Sequence, residues 1–176
     1  MSNSLDRFEA GFNKFTLFLA ALVAISIGLF AFLLPLNLLM INMKWGSIWW
    51  LHESVEYALF ISVFIGAPWV LQQGAHVRVD VVTSNLPSHL AAHLERILDL
   101  AGASLCLLLC FYGIRATLSE FEDGTVPDKI LMIPNWYMMA IFAASCFLLA
   151  IEFLLRVRRA REIAIDEATD TKKAGF

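Results

Sequence analysis

The sequence predicts an all-α integral membrane protein with four transmembrane helices and both termini in the cytoplasm. Apolar residues make up 59% of its 176 residues and charged residues only 16%, against about 45–50% and about 25% in ordinary soluble domains. The apolar residues gather in four blocks of a length that can cross a bilayer, for which about 20 residues are needed. These two observations predict a chain that lies in lipid.

The first block has no charge over its 28 residues. This length exceeds that of the apolar region of a secretory signal, which has roughly 7–15 residues. We therefore expect it to remain in the mature protein. The second block carries Glu56 in its first turn and Pro68 near its end, and the other two are more apolar in their centres. The predicted spans cover residues 16–43, 54–71, 97–118 and 133–157. Residues 1–161 are predicted to form one membrane domain, and residues 162–176 a mobile cytoplasmic tail.

The basic residues predict the orientation. With four spans the two termini share one side, and that side carries ten basic residues against two on the other, so the positive-inside rule places both termini in the cytoplasm. The ten are Arg7, Lys14, Arg78, Arg96, Arg156, Arg158, Arg159, Arg161, Lys172 and Lys173; the two are Lys44 and Lys129. Five amphipathic aromatic residues are predicted to lie at the opposite membrane interface, where such rings are favoured: Trp45, Trp49, Trp50, Trp136 and Tyr137.

A polar segment separates the second span from the third and is predicted to be a cytoplasmic loop. Pro87 suits the first position of a helix, and apolar residues at three- and four-residue steps follow it. An amphipathic helix at the cytoplasmic surface is therefore predicted to lead into the third span. Its polar face carries His89, His93 and Arg96, but a metal site needs further ligands, so we expect this face to meet solvent or lipid headgroups.

Carboxylates lie near both ends of the spans. Glu53 and Glu56 begin the second span, and Arg115 lies at a depth similar to that of Glu56. Two interpretations are open: Glu56 and Arg115 form an ion pair between helices, or both reach the interfacial water. At the inner end, Glu152 lies four residues before Arg156, which is the spacing of an ion pair within a helix.

The sequence excludes several function classes. There is no GxxxxGK[ST] phosphate loop, which argues against ATP hydrolysis, and no span centre carries the ionisable residues of a proton relay. The three cysteines, Cys106, Cys110 and Cys146, lie inside apolar blocks and are expected to pack there. Small residues within the spans would let helices approach closely: Gly28, Ala31, Ser62, Gly66, Ala101, Gly102, Ser104, Ala140, Ala143, Ala144 and Ser145.

Three ordered motifs resemble the DctQ family, the small membrane subunit of tripartite ATP-independent periplasmic (TRAP) transporters. They are the HVxVD segment, the leucine-proline turn that follows it, and the IPxW start of the last span. Here they are His76, Val77, Val79 and Asp80; Leu86 and Pro87; and Ile133, Pro134 and Trp136. The likeness covers about residues 10 to 160.

The resemblance implies a scaffold subunit of a secondary transporter in the bacterial inner membrane. Its partners would be a large membrane subunit and a periplasmic binding protein that delivers an organic acid, with a sodium gradient as the usual driving force. No enzyme activity, cofactor or metal is implied. Residues at the outer interface could contact a partner or simply lie in the lipid interface: Trp45, Trp49, Trp50, Glu53, Pro134 and Trp136.

Alternatives from other classes make different demands. A b-type haem anchor of an electron-transfer complex needs histidines facing each other from different spans, whereas the four histidines lie outside the span centres. A thiol–quinone oxidoreductase needs paired reactive cysteines near the periplasmic face, and the cysteines lie deeper. A stand-alone channel is disfavoured only by the family resemblance.

Overall fold

The computed structural model describes the backbone of residues 2–83 and 88–173, and the side chains of residues 7–73, 94 and 96–159. This part of the chain forms four helices: α1 (Ser2–Asn42), α2 (Leu51–Thr83), α3 (Ser88–Asp123) and α4 (Asn135–Lys173). Each contains a segment long and apolar enough to cross a membrane, namely Arg7–Asn42, Leu51–Gln73, Arg96–Asp123 and Asn135–Arg159. The prediction of four spanning helices is confirmed.

The helices extend beyond the predicted spans. Helix α2 continues to Thr83, so the segment from His76 to Asp80, predicted to be a loop, is helical. Helix α4 continues to Lys173, which makes most of the predicted tail helical as well. The physical reason is that hydropathy indicates only where a helix leaves the lipid. A helix forms its backbone hydrogen bonds internally, so it can continue into water until a helix-breaking residue ends it. The amphipathic helix predicted before the third span involves side chains that lie outside the described ones, so this prediction stays open.

The helices pack in the order α1, α2, α4, α3. Helix α4 lies between α2 and α3 and packs most extensively against α3, whereas α2 and α3 barely touch. Helix α1 packs along α2, and no part of its most apolar segment is buried within the chain. The described fold is thus an open row of helices, which leaves large apolar surfaces for lipid or for a partner subunit.

Glycines set the close contact between α3 and α4. A Cβ atom at Gly113 would lie 3.1 Å from Cβ of Ala143, and one at Gly102 would lie 2.8 Å from the Phe153 ring. A larger side chain at Gly102 would require the Phe153 ring to move, and one at Gly113 would require Ala143 to shift by a few tenths of an ångström. Gly102 and Ala143 were among the small residues expected to permit such packing, whereas Gly113 was missed. Gly28, also expected to do so, faces away from the other helices, because a Cβ atom there would meet nothing within 4 Å.

Polar contacts set the register of α1 on α2. The Thr16 hydroxyl donates to Oε1 of Gln72 at 3.0 Å, and the hydroxyls of Ser26 and Ser62 lie 3.4 Å apart. The two contacts are ten residues apart on each helix, so both belong to one antiparallel register. Lipid tails provide little hydrophobic drive for helices to associate, so contacts of this kind select the alignment.

A polar contact and two residues with positive φ shape the two loops at the end of the row opposite the termini. The buried Asn37 side chain accepts a hydrogen bond at 2.8 Å from the backbone N–H of Ile48, which fixes the α1–α2 loop. Just past the end of helix α1, Lys44 has a φ of 58°, in the left-handed conformation typical of a helix end. Helix α3 is followed by Gly124, whose φ of 60° suits glycine.

Candidate functional sites at the two ends of the row

A buried polar cluster joins α1, α2 and α4 at the end of the row where the termini lie. We call it the terminal-end network: Glu9, Thr16, Gln72, Glu152 and Arg159. Thr16 donates to Gln72, and Nε2 of Gln72 donates to Oε2 of Glu152 at 2.9 Å. Arg159 donates through Nη1 to Oε1 of Glu152 at 3.3 Å and through Nε to Glu9.

The centre of this network is fully enclosed. Glu152 is 0% exposed and Thr16 is almost as deeply buried. A buried carboxylate is stable only when it is paired and hydrogen-bonded, and both oxygens of Glu152 have such a partner. The network therefore fixes how α2 and α4 face each other and attaches the start of α1 to them.

A second ion pair extends the contact to α3. Nη2 of Arg156 lies 3.6 Å from Oδ1 of Asp99, and both side chains are largely buried. The sequence predicted a pair between Glu152 and Arg156, and this pair stays a prediction. The described ion pairs join Arg159 to Glu152 and Arg156 to Asp99. Asp99 lies on the neighbouring helix, and helix spacing alone carries no information about that neighbour.

A different arrangement holds the α3–α4 loop at the opposite end of the row. We call it the loop-end clasp: Glu53, Glu56 and Tyr57 of α2 with Lys129 and the backbone of residues 130–131. Oε1 of Glu53 accepts from the N–H of Ile130 at 3.0 Å, and Oε2 accepts from the N–H of Leu131 at 2.6 Å. The Tyr57 hydroxyl donates to the Leu131 carbonyl at 3.4 Å.

Lys129 completes the clasp. Its Nζ lies 2.7 Å from Oε1 of Glu56 and 5.1 Å from the centre of the Tyr57 ring. The hydrogen bond to Glu56 raises the pKa of Lys129 above its ordinary value. Glu56, for which the sequence suggested Arg115 as a partner, contacts Lys129 here because the α3–α4 loop folds over the start of α2. Arg115 is exposed on α3, which hardly packs against α2, and its pairing with Glu56 stays a prediction.

Aromatic residues surround the loop end. Trp45, Trp49 and Trp50 of the α1–α2 loop are exposed. The Trp136 ring contacts Phe121 edge to face at 5.6 Å and stacks on Tyr137 at 3.7 Å between ring centres. The Pro134 carbonyl accepts from the N–H of Tyr137 in the first turn of α4. A contact between these residues and a partner stays a prediction.

Sequence reasoning missed much of both sites. Thr16, Gln72 and Asn37 were not singled out, although each is a polar side chain within or beside an apolar block. A polar side chain in lipid costs free energy unless another part of the protein provides its hydrogen-bond partner. That cost alone indicated that these three residues contact other segments of the chain. The motif side chains His76, Val77, Val79, Asp80, Leu86 and Pro87 lie outside the described side chains.

The described residues contain no group of three or more His, Cys, Asp or Glu side chains that could hold a metal ion. Cys106, Cys110 and Cys146 are buried free thiols, and His52 is exposed in the first turn of α2. The groups of both described sites bind one another, apart from Nη2 of Arg159, which is buried without a hydrogen-bond partner. Both sites are therefore elements that hold helices and loops in place.

Comparison with known proteins agrees with this architecture. The family model of the DctQ component of tripartite ATP-independent periplasmic transporters matches residues 38–162, a range that includes α2, α3, both loops at the loop end and the transmembrane part of α4. No curated protein and no solved structure matches the chain. The chain therefore belongs to the DctQ family and is a small membrane component of a TRAP transporter.

Proposed function

We propose that this chain is the scaffold subunit of a TRAP transporter that imports an organic acid, beside a large membrane subunit that carries the transport path. The observation that carries the proposal is where the buried polar groups lie. Glu152, Gln72 and Thr16 are bonded to one another at the terminal end, and Asn37 is bonded to a loop at the other. These groups hold the helices together, so the described residues offer a solute no polar path.

An organic anion would need basic side chains or an interrupted helix near the middle of the membrane. The four helices of the described chain run unbroken through their spans, and Pro68 and Pro35 lie inside α2 and α1 without ending them. This supports a division of labour in which the large subunit binds the substrate. The coupling ion, sodium by family resemblance, would then also bind to the large subunit.

The proposed orientation has both termini in the cytoplasm of a bacterium and the loop-end clasp in the periplasm. It rests on the ten basic residues on the terminal side against two on the loop side. With this orientation the aromatic rings at the loop end lie at the outer interface. A periplasmic binding protein would reach the complex from the same side.

The test is reconstitution. The large subunit is purified with and without this chain, placed in proteoliposomes, and supplied with the binding protein, a labelled organic acid and an inward sodium gradient. We expect uptake only when both membrane subunits are present, and a stable complex of the two on purification. Uptake by the large subunit alone, or by this chain alone, would contradict the proposal.

The haem-anchor alternative gains no support from the family match. An absorption spectrum of the purified protein tests it directly, because bound haem gives an intense Soret band. We expect none.

A further inference from the structure

An apolar groove runs along the contact between α3 and α4, in the half of their spans that is nearer the loop end. We call it the α3–α4 groove. Its volume is about 350 Å³, and its walls include Cys110, Ile114 and Leu118 of α3 and Ala140, Ala144 and Phe147 of α4. Ile114, Leu118 and Phe147 are each half exposed, so the groove is open on one side. Both walls belong to segments apolar enough to cross a membrane, and the open side therefore faces the membrane interior.

The shape and chemistry of the groove suit a hydrocarbon chain. Its one hydroxyl, on Thr117, donates to the Gly113 carbonyl of the same helix at 2.8 Å, so the groove has no hydroxyl left for a polar ligand. From Cys110 to Leu118 the α3 wall rises about 12 Å at 1.5 Å per residue. One leaflet of the hydrocarbon core is about 15 Å thick, so the groove is long enough to hold an acyl chain through most of a leaflet.

An arginine lies at the edge of this groove, inside the span. Arg115 directly follows Ile114 and comes one turn before Leu118, and its side chain is exposed. The ion pairs among the described side chains do not include it. A cation in hydrocarbon costs free energy, and the long arginine side chain lowers that cost by extending its guanidinium to the bilayer surface. Arg115 therefore provides a cation at the mouth of the groove.

A carboxylate lies on the same face of α3, nearer the water. Glu122 comes seven residues after Arg115, a spacing that places both residues on one face of a helix, about 10 Å apart along its axis. Glu122 is exposed, and the described ion pairs do not include it either. Helix α3 thus presents a cation deeper in the membrane and an anion above it.

We propose that Arg115, Glu122 and the α3–α4 groove bind one phospholipid with a primary amine in its headgroup, of the phosphatidylethanolamine type, in the leaflet at the loop end. The Arg115 guanidinium donates to the phosphate, as arginine does in paired N–H···O contacts. The ammonium group of the lipid donates to Glu122, and an acyl chain fills the groove.

The order of charges selects this class of ligand. In such a headgroup the phosphate lies next to the glycerol and the ammonium lies nearer the water, which complements Arg115 below Glu122. An acidic side chain from a neighbouring helix would pair with Arg115 but would repel Glu122. The site stands on this chain alone and does not depend on the transport function proposed above.

The experiment is a lipid titration of the purified full chain, read by native mass spectrometry. Phosphatidylethanolamine, phosphatidylglycerol and phosphatidylcholine with the same acyl chains are compared. The wild type should bind phosphatidylethanolamine most tightly, because phosphatidylglycerol lacks the ammonium and the methylated ammonium of phosphatidylcholine has no N–H to donate. Arg115→Gln should raise Kd for all three lipids by about tenfold, since hydrogen bonds to charged groups are among the stronger ones.

Lys44→Gln is the matched control for Arg115, since Lys44 is an exposed cation at the same end of the row. Its Kd values should equal those of the wild type. An unchanged Kd in Arg115→Gln, or an equal loss in Lys44→Gln, would overturn the proposal.

Headgroup selectivity is the readout for Glu122. Glu122→Gln should weaken binding of phosphatidylethanolamine to the level of phosphatidylglycerol and leave the Kd of phosphatidylglycerol nearly unchanged. A merely structural role of Glu122 would not produce this change of selectivity. Asp128→Asn, which alters an exposed carboxylate of the α3–α4 loop, is the control and should keep the wild-type preference. A wild type with no preference for phosphatidylethanolamine would overturn the assignment of the headgroup.

The acyl chain is tested by filling the groove. Ala144 is exposed on the wall of α4, so Ala144→Phe should occupy the groove and raise Kd severalfold for all three lipids. Ala31→Phe is the control, because Ala31 is an exposed alanine on α1, and it should bind lipid like the wild type. Equal Kd values in the two variants would contradict an acyl chain in the groove.

A helix of the large membrane subunit is the competing occupant of the groove. Leu118 is replaced by the photoreactive residue benzoylphenylalanine in cells that produce both membrane subunits, and their membranes are irradiated. We expect this chain to gain the mass of a phospholipid. A crosslink to the large subunit would show that protein covers the groove and would overturn the proposal.

Discussion

At the terminal end of the row the Glu152 carboxylate is fully buried and binds the side chains of Gln72 and Arg159, whereas at the loop end Glu53 binds two backbone N–H groups of a loop. A network of side chains fixes the rotation of each helix that contributes to it. A carboxylate bound to backbone fixes the path of a loop and leaves the loop's side chains available. The same functional group thus holds helices at one end and shapes a surface at the other.

The largest expected effect is at the terminal end. Glu152→Ala removes the acceptor of the Gln72 amide and leaves Arg159 with Glu9 alone, and removing one partner of a buried ion pair costs about 3–5 kcal/mol. We expect about 3 kcal/mol, the lower end of that range, because Arg159 is 35% exposed and water screens part of the loss. Unfolding in mixed detergent micelles measures the change, and Glu122→Ala, an exposed glutamate, is the control. Equal losses of unfolding free energy in Glu152→Ala and Glu122→Ala would contradict the stronger stabilising role of the buried carboxylate.

A smaller, local effect is expected from Glu53→Ala. The N–H groups of Ile130 and Leu131 lose their acceptors, and their hydrogen exchange should accelerate by roughly tenfold or more, since hydrogen bonds to a charged group are among the stronger ones. Exchange in the helical segments of α3 and α4 should stay as in the wild type. Hydrogen exchange read by mass spectrometry over the 124–134 peptide measures this. Acceleration throughout α4 would show that Glu53 stabilises helices instead of a loop.

The ion pair of the clasp should contribute less than Glu152, because Glu56 is 65% exposed and exposed pairs contribute little. A double-mutant cycle of Glu56→Gln and Lys129→Met should show a small favourable coupling in the free energy of unfolding. The matched cycle of Glu56→Gln and Arg115→Gln should show additive losses. Coupling in the second cycle and not in the first would support the Glu56–Arg115 pair and contradict a stabilising role of Lys129.

The smallest effect is a pH dependence of the same pair. Because Glu56 raises the pKa of Lys129 in the folded protein, the folded state binds the proton more tightly than the unfolded chain does. The stabilisation is therefore complete below the ordinary lysine pKa of about 10.4 and is lost as the pH rises through the higher folded pKa. The stability difference between wild type and Lys129→Met should be constant near neutral pH and should shrink above about pH 10.5. A difference that grows with rising pH would contradict this sign.

The sequence indicated the depth of several charged side chains but not the partners that they have in the structure. It correctly marked Glu53, Glu56, Glu152 and Arg156 as residues near the ends of the spans, because charge is excluded from hydrocarbon and depth can be counted along a helix. It named Arg115 and Arg156 as partners of Glu56 and Glu152, whereas the described ion pairs of these carboxylates are with Lys129 and Arg159. Partners depend on which segments are neighbours: Lys129 reaches Glu56 because a loop folds over α2, and Gln72 reaches Glu152 because α4 packs against α2.

The amino-acid sequence by itself determined that four helices cross the membrane, since in lipid each backbone N–H and C=O group must find a partner within its own segment and apolar blocks of this length can do so only as helices. Its ordered motifs also predicted the DctQ family, which the family match confirms. Only the tertiary structure decided that α4 lies between α2 and α3, that Gly113 is a point of closest approach, and that each carboxylate has its particular partner. The reason is that lipid solvates any apolar face of a helix equally well, so helix rotation and order are fixed by a few polar and small-residue contacts that form between segments distant in the chain.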